Sequence, residues 1–155
     1  MNNWKLLFLL AFPLLFSACK KDNTDGTYYN PKPDTQSEAL TDNYIKYWRI
    51  ISISLNDTIP EEVPECNSDD IYSFHFDGYF ELLNGNLKCD DEVDISTGSW
   101  QFFNDKTDLQ ITFNAGYIGY FEVHELTDNY LTLAGNAYDS SGNYIGLRSL
   151  RFQAQ

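Results

Sequence analysis

The sequence predicts an all-β domain, an antiparallel up-and-down barrel of eight strands, with a β-sandwich as the alternative arrangement of the same strands. Short segments rich in aromatic and β-branched residues alternate apolar and polar side chains, which is the period of a strand with one buried face. Clusters of Asn, Asp, Gly and Ser separate these segments, and no convincing helix lies between them. Closing such a meander into a barrel removes its exposed edges.

The first strand is expected from 44 to 55, which is rich in isoleucine and aromatic residues and includes Trp48. A loop with prolines and five acidic residues is expected from 59 to 70. Those acids, together with the acidic run from 90 to 94, predict a solvated rim, with a calcium site as the alternative that the spacing does not favour.

The central hairpin follows this loop. Tyr72, Phe74 and Phe76 recur at every second position, so the alternation places their rings on one face of a strand. Asp77-Gly78 supplies a tight turn, and 79–83 is the returning strand.

The two cysteines Cys66 and Cys89 flank this hairpin, and a bond between them would close its base. Metal ligation by the same two thiols is the alternative, although no pair of histidines stands at ligand spacing nearby.

The later strands are expected at 98–103, 108–113, 117–126, 130–138 and 144–153. The side chains that alternation turns toward the barrel interior are Trp100, Phe102, Leu109, Ile111, Phe113, Leu131, Leu133, Leu150 and Phe152.

Residues 1–18 have the pattern of a secretory signal peptide, with a lysine before an apolar run that is shorter than the roughly 20 residues of a membrane-spanning helix. The segment Phe16-Ser17-Ala18-Cys19 resembles the lipobox of bacterial lipoproteins, apart from Phe16 at the place usually held by Leu. The resemblance implies a diacylglycerol on the Cys19 thiol, which would anchor an exported chain to a membrane. Ordinary cleavage after Ala18 is the alternative.

Residues 19–43 have the composition of a flexible tether, and 44–155 is the predicted barrel domain. Lys20-Lys21-Asp22 resembles the outer-membrane export signal of Bacteroidetes lipoproteins, with a solvated linker as the alternative. Thr35 and Glu38 have the spacing of a capping box, which predicts one helical turn before the first strand.

The net charge of −13 argues against nucleic-acid binding and against electrostatic docking on an anionic membrane surface, because both need clustered Lys and Arg. The sequence also lacks a nucleophile elbow, a paired-histidine zinc motif and a phosphate-binding glycine loop. We therefore expect neither an enzyme nor a cofactor.

The domain resembles the lipocalin-like domain of Bacteroidetes lipoproteins. The resemblance depends on the order of several features, which are Trp48, Cys66, the segment from Tyr72 to Gly78, Cys89, the segment from Gly98 to Phe102, and Glu125-Leu126-Thr127 before Leu131. It implies an eight-stranded calyx and a Cys66–Cys89 disulfide, and for most such proteins it implies no known ligand.

Interior aromatic residues are the candidates for lining a cavity that takes a small apolar ligand. They are Trp48, Tyr72, Phe74, Trp100, Phe102 and Phe113. The competing hypothesis is a barrel filled by its own side chains, with exposed Tyr and Phe residues that bind a protein or a glycan.

Overall fold

The structure is a computed structural model that describes residues 35–89 and 93–155. The predicted signal peptide, the predicted lipidation site Cys19, most of the predicted tether and the acids at 90–92 lie outside the described residues. The elements in chain order are α1 (Thr35–Thr41), β1 (Ile45–Leu55), β2 (Ile59–Glu61), β3 (Ile71–His75), β4 (Tyr79–Leu83), β5 (Ile95–Phe103), β6 (Asp108–Phe113), β7 (Ile118–Leu126), β8 (Tyr130–Tyr138) and β9 (Tyr144–Ala154).

The strands from β3 to β9 each pair antiparallel with the next, and β1 closes the ring because it pairs with both β3 and β9. Its first residues face β3, from Ile45 opposite His75 to Trp48 opposite Tyr72. From Trp48 onward its other edge pairs with β9, as far as Leu55 opposite Arg148. The prediction of a closed, antiparallel, eight-stranded barrel is confirmed, and the sandwich alternative is wrong because all strands within 35–89 and 93–155 belong to one closed sheet.

The segment predicted as a loop from 59 to 70 contains a short ninth strand. β2 pairs with the end of β1, with Ile53 opposite Glu61. The turn between them has Asn56 and Asp57 at φ 51° and 58°, a left-handed conformation that Asn and Asp side chains tolerate. The first part of β1 therefore pairs with β3, and the last part of β1 pairs with β2.

Antiparallel order places successive connections at opposite ends of the barrel. The end that carries α1 and the turns at 76–78, 104–107 and 127–129 is called the closed end. The end that carries the β1–β2 hairpin, the connection from 62 to 70 and the turns at 114–117 and 139–143 is called the open end.

Helix α1 is anchored at the closed end. Leu40 is fully buried, and its carbonyl accepts a hydrogen bond of 3.0 Å from Trp48 Nε1. Lys46 Nζ donates to the Ala39 carbonyl at 2.8 Å and lies 4.8 Å from the centre of the Trp48 ring. Residues 35–41, which lie within the predicted tether of 19–43, therefore contact the first strand of the barrel, and the domain boundary at 44 stays a prediction.

Aromatic rings fill the closed half of the barrel. Phe74 lies 5.1 Å from Phe80 and 6.1 Å from Trp100, measured between ring centres. Phe102 lies 5.5 Å from Trp100, whose Nε1 donates to the His75 carbonyl at 2.9 Å. The inward side chains predicted from the later strands belong to this core or pack against it.

Candidate functional site

A cavity of about 420 Å³ lies at the open end of the barrel, where β1, β3 and β9 meet the β1–β2 hairpin. We call it the mouth cavity, and it is lined by Ile50, Ile53, Glu61, Glu62, Pro64, Asn67, Tyr72, Arg148 and Leu150. Its volume falls at the lower end of the range of small-molecule sites in proteins, which is roughly 300–1,000 Å³.

One wall of the mouth cavity is apolar and continuous with the core. Ile50 is a core residue, while Ile53 and Leu150 pack against the core and are register partners. A β-bulge between Ile50 and Ser52 lets two isoleucines three positions apart face the same interior, which a regular strand would not allow. Tyr72 completes this wall from β3.

The opposite part of the lining is charged. Arg148 stands two positions before Leu150 on β9, so strand alternation directs both side chains to the same face. Arg148 Nε donates to Glu61 Oε2 at 2.6 Å, and Nη2 donates to Oε1 at 3.2 Å. The two side chains are 41% and 30% exposed, which places this two-point ion pair at the rim.

Each partner of this pair shifts the other's titration. The hydrogen bond from Arg148 lowers the pKa of Glu61 below its ordinary value of 4.5. The same contact raises the pKa of Arg148. The pair is therefore ionised at neutral pH. At the cavity rim, the Arg148 guanidinium donates its hydrogen bonds to the Glu61 carboxylate.

The connection beside the cavity is fixed by the disulfide. Cys66 and Cys89 are bonded, with their Cα atoms 5.0 Å apart, so the disulfide prediction is confirmed and the metal-ligand alternative is wrong. The bond joins the connection before β3 to the one after β4, at the open end.

Two acids beside this disulfide act as internal hydrogen-bond acceptors. Asp70 is fully buried, and it accepts from the Gly85 amide at 2.9 Å and from Asn67 Nδ2 at 3.0 Å. Asp69 Oδ2 accepts from the Asn86 amide at 2.8 Å. The predicted solvated rim is therefore wrong for Asp70, because backbone and amide donors replace water around its carboxylate. Asn67, which lines the mouth cavity, is held in place by this contact.

The six residues predicted to line a ligand cavity divide between cavity and core. Tyr72 lines the mouth cavity. Trp48 and Phe74 are 0% and 1% exposed, so they contact other side chains and no solvent-accessible space. Trp100 and Phe102 pack in the same ring cluster. These four residues fit the alternative hypothesis, in which side chains fill the barrel interior. Phe80 and Phe152 supply further rings to the same core.

The sixth residue, Phe113, lines a second cavity of about 420 Å³ at another part of the open end. Val93, Ile95 and Tyr117 surround it and are exposed. The lining of this second cavity comes from the start of β5, the end of β6 and the β6–β7 turn.

A groove of about 260 Å³ runs along the barrel between β6, β7 and β8. Tyr120 is 59% exposed there, and its ring lies 6.0 Å from that of Phe103. Asp108, Glu122 and Asn136 line the same groove. We call it the aromatic groove.

Among residues 35–89 and 93–155, no group of three or more His, Cys, Asp or Glu side chains is placed to hold a metal ion. Within the same ranges, no helix has the length and apolar character needed to cross a membrane.

A family model described as the lipocalin-like domain matches residues 44–133, more than half of the chain. The chain belongs to this family. The lipocalin-like match begins beside β1 and ends within β8, so β9 with Arg148 and Leu150 lies beyond it. The comparison with curated proteins gave no match.

The charged part of this lipocalin-like mouth was not predicted from the sequence. The signal for Arg148 was present, because it precedes Leu150 and Phe152 in the same alternation. Glu61 could not be found in this way, since its position depends on β2, and Pro60 and the neighbouring acids favoured a loop.

Proposed function

We propose that this lipocalin-like domain binds a small, largely apolar molecule in the mouth cavity. The supporting observation is the wall formed by Ile50, Ile53 and Leu150, which extends the core to a solvent-accessible space of about 420 Å³. Moving an apolar group from water to such a wall gains about 25 cal/mol for each Å² buried. The filled closed end limits the ligand to a small molecule.

The test uses the uncharged fluorescent probe N-phenylnaphthylamine, whose emission rises in apolar surroundings. We expect saturable binding to the wild type and at least about tenfold weaker binding to Leu150→Trp, because the indole would occupy the cavity. Ile118→Trp is the matched control, since Ile118 is exposed on β7 and outside the cavity lining. Absent binding, or equal binding by both variants, would refute the proposal.

We propose binding and not catalysis because the polar side chains that line the cavity are largely engaged with other protein groups. They are Asn67, Glu61, Glu62 and Arg148, and two of them neutralise one another. Asn67 is engaged with Asp70. Such a lining orients a ligand and offers no activated nucleophile.

We further propose that the domain is exported and anchored by lipid on Cys19, in the cell envelope and at the outer membrane. This proposal rests on the apolar run and the lipobox-like sequence ending at Cys19. Mass spectrometry of the mature amino-terminal peptide should find a diacylglyceryl group on Cys19, and Cys19→Ser should accumulate as unprocessed precursor. A mature chain with a free Cys19 thiol would contradict the proposal.

A second candidate function is recognition of a glycan or a protein at the aromatic groove. The observation that favours it is the exposed Tyr120 ring beside carboxylate and amide side chains, a combination suited to stacking and hydrogen bonding. Tyr120→Ser should then abolish capture of a glycan from an array while leaving N-phenylnaphthylamine binding unchanged. Capture that persists in this variant would remove the second candidate.

A further inference from the structure

We infer that the molecule bound in the mouth cavity carries a carboxylate, which takes the place of the Glu61 carboxylate on the Arg148 guanidinium. The inference rests on the proposed function, since it names the polar group of the same ligand. It also gives β2 a role, because β2 carries Glu61 and would act as a latch that the ligand displaces.

The guanidinium end of the ion pair is held firmly. Arg148 belongs to β9, whose backbone pairs at this position with Leu55 on one side and Gly135 on the other. Strands paired on both sides are difficult to move without breaking two ladders. The Arg148 side chain therefore remains at the mouth whether or not Glu61 is bound to it.

The carboxylate end is held less firmly, and its fixed point is the turn before β2, where Asn56 and Asp57 form hydrogen bonds with Leu147 and Ser149 of β9. β2 has three residues, and its pairing with β1 is restricted to Ile59, Pro60 and Glu61. Ile59 and Pro60 are both exposed, and proline donates no hydrogen bond to a ladder. When the pair separates, Glu61 is the partner that moves into solvent.

The chemistry of the position favours a carboxylate as the replacement. A guanidinium presents its N–H groups as a planar fork that matches the two oxygens of a carboxylate, and Glu61 already occupies the fork in this way. A ligand carboxylate would keep both hydrogen bonds. Its apolar body would then lie against Ile53 and Leu150, a gain that Glu61 cannot make.

A cationic ligand fits less well. It would have to take Glu61 away from Arg148, which would leave a guanidinium at the barrel mouth without its partner. Glu62 lines the same cavity and is exposed, so a cation could also be attracted to its carboxylate. Glu62 thereby supplies the matched control, because its removal changes the rim charge equally and leaves the Arg148 pair intact.

The experiment compares decanoate, decanol and decylamine, which share one apolar chain, by isothermal titration calorimetry. Wild type should bind decanoate most tightly. Glu61→Gln should bind decanoate about 2–5-fold tighter, since the competitor on Arg148 is weakened. Glu62→Gln should change decanoate affinity by less than about twofold. Arg148→Met should weaken decanoate binding by about tenfold or more and leave decanol binding unchanged.

The outcomes separate this inference from the proposed function. If decanol or decylamine binds at least as tightly as decanoate and Arg148→Met has no effect, the carboxylate inference fails and the apolar site remains. If none of the three binds, or if Leu150→Trp does not weaken them, both fail. Should Arg148→Met not fold, Arg148→Lys keeps the charge but loses the fork, and unchanged decanoate affinity in that variant would overturn the inference.

Discussion

The two ends of this barrel are built from the same alternating strands but have opposite properties. At the closed end, helix α1 covers the barrel, and the rings of Phe74, Phe80 and Trp100 contact one another. At the open end the inward side chains are Ile53, Leu150 and the charged Arg148, and a cavity remains between them. Strand alternation decides which side chains point inward, and their size and charge decide whether the interior fills.

The difference also shows how the two ends are fixed. The closed end is held by burial and by two indole hydrogen bonds, from Trp48 and Trp100 to backbone carbonyls. The open end is held by the disulfide and by polar contacts of Asp69 and Asp70. We therefore expect core substitutions to unfold the barrel from the closed end, and polar substitutions to alter the mouth.

The largest contrast should come from truncating one side chain at each end. Phe80→Ala should lower the free energy of unfolding by about 3–5 kcal/mol, because it removes a fully buried ring and leaves a cavity. Leu150→Ala should cost below about 2 kcal/mol, since Leu150 already borders open space. Chemical denaturation measures both values. Equal losses would show that the two ends are packed alike.

Removing the disulfide should destabilise the domain and loosen the open end. The double variant with Cys66→Ser and Cys89→Ser should lose about 3 kcal/mol, since the bond closes a loop between residues 23 positions apart. Hydrogen exchange should accelerate at the Gly85 and Asn86 amides more than in α1. A uniform increase across both ends would argue against a local role for the bond.

The anchoring of α1 can be weakened by removing one indole hydrogen bond while an aromatic ring stays in the core. Trp48→Phe removes the indole donor and leaves the Leu40 carbonyl buried without its partner, at a cost of about 1–3 kcal/mol. Amide exchange in 38–41 should rise, and N-phenylnaphthylamine should bind as before. Tyr47→Phe is the control on the same strand. If Trp48→Phe abolished probe binding, the two ends would not be independent.

The smallest effect should be the pH dependence of the mouth ion pair. Arg148 lowers the pKa of Glu61 in the folded state. The ion pair therefore stabilises the fold fully above the ordinary Glu pKa of 4.5, and this stabilisation is lost as the pH falls through the lower pKa of the folded state. Both groups are partly exposed, so the contribution is below about 1 kcal/mol. Wild type should therefore lose more stability than Glu61→Gln between neutral and acidic pH. Glu62→Gln should follow the wild type.

Alternation predicted the fold because each strand has one buried face, as in Leu109 and Ile111 or Leu131 and Leu133. The disulfide followed from cysteines placed around one hairpin and from the family resemblance. These patterns could not locate the cavity, because alternation predicts that both Phe74 and Tyr72 point inward. In the structure, other rings bury Phe74, whereas Tyr72 borders open space. The Arg148–Glu61 pair depends on the register of β2, which a short segment containing proline does not reveal.

Ligand binding at the open end should leave the closed end unchanged. Methyl NMR during a titration with N-phenylnaphthylamine tests it most directly, because isoleucine and leucine side chains report from both ends. We predict saturable shifts at Ile50, Ile53 and Leu150, and none at Leu40, Leu109 or Leu131. Shifts confined to the closed-end leucines, or to exposed Ile118 on the outer wall, would contradict this account.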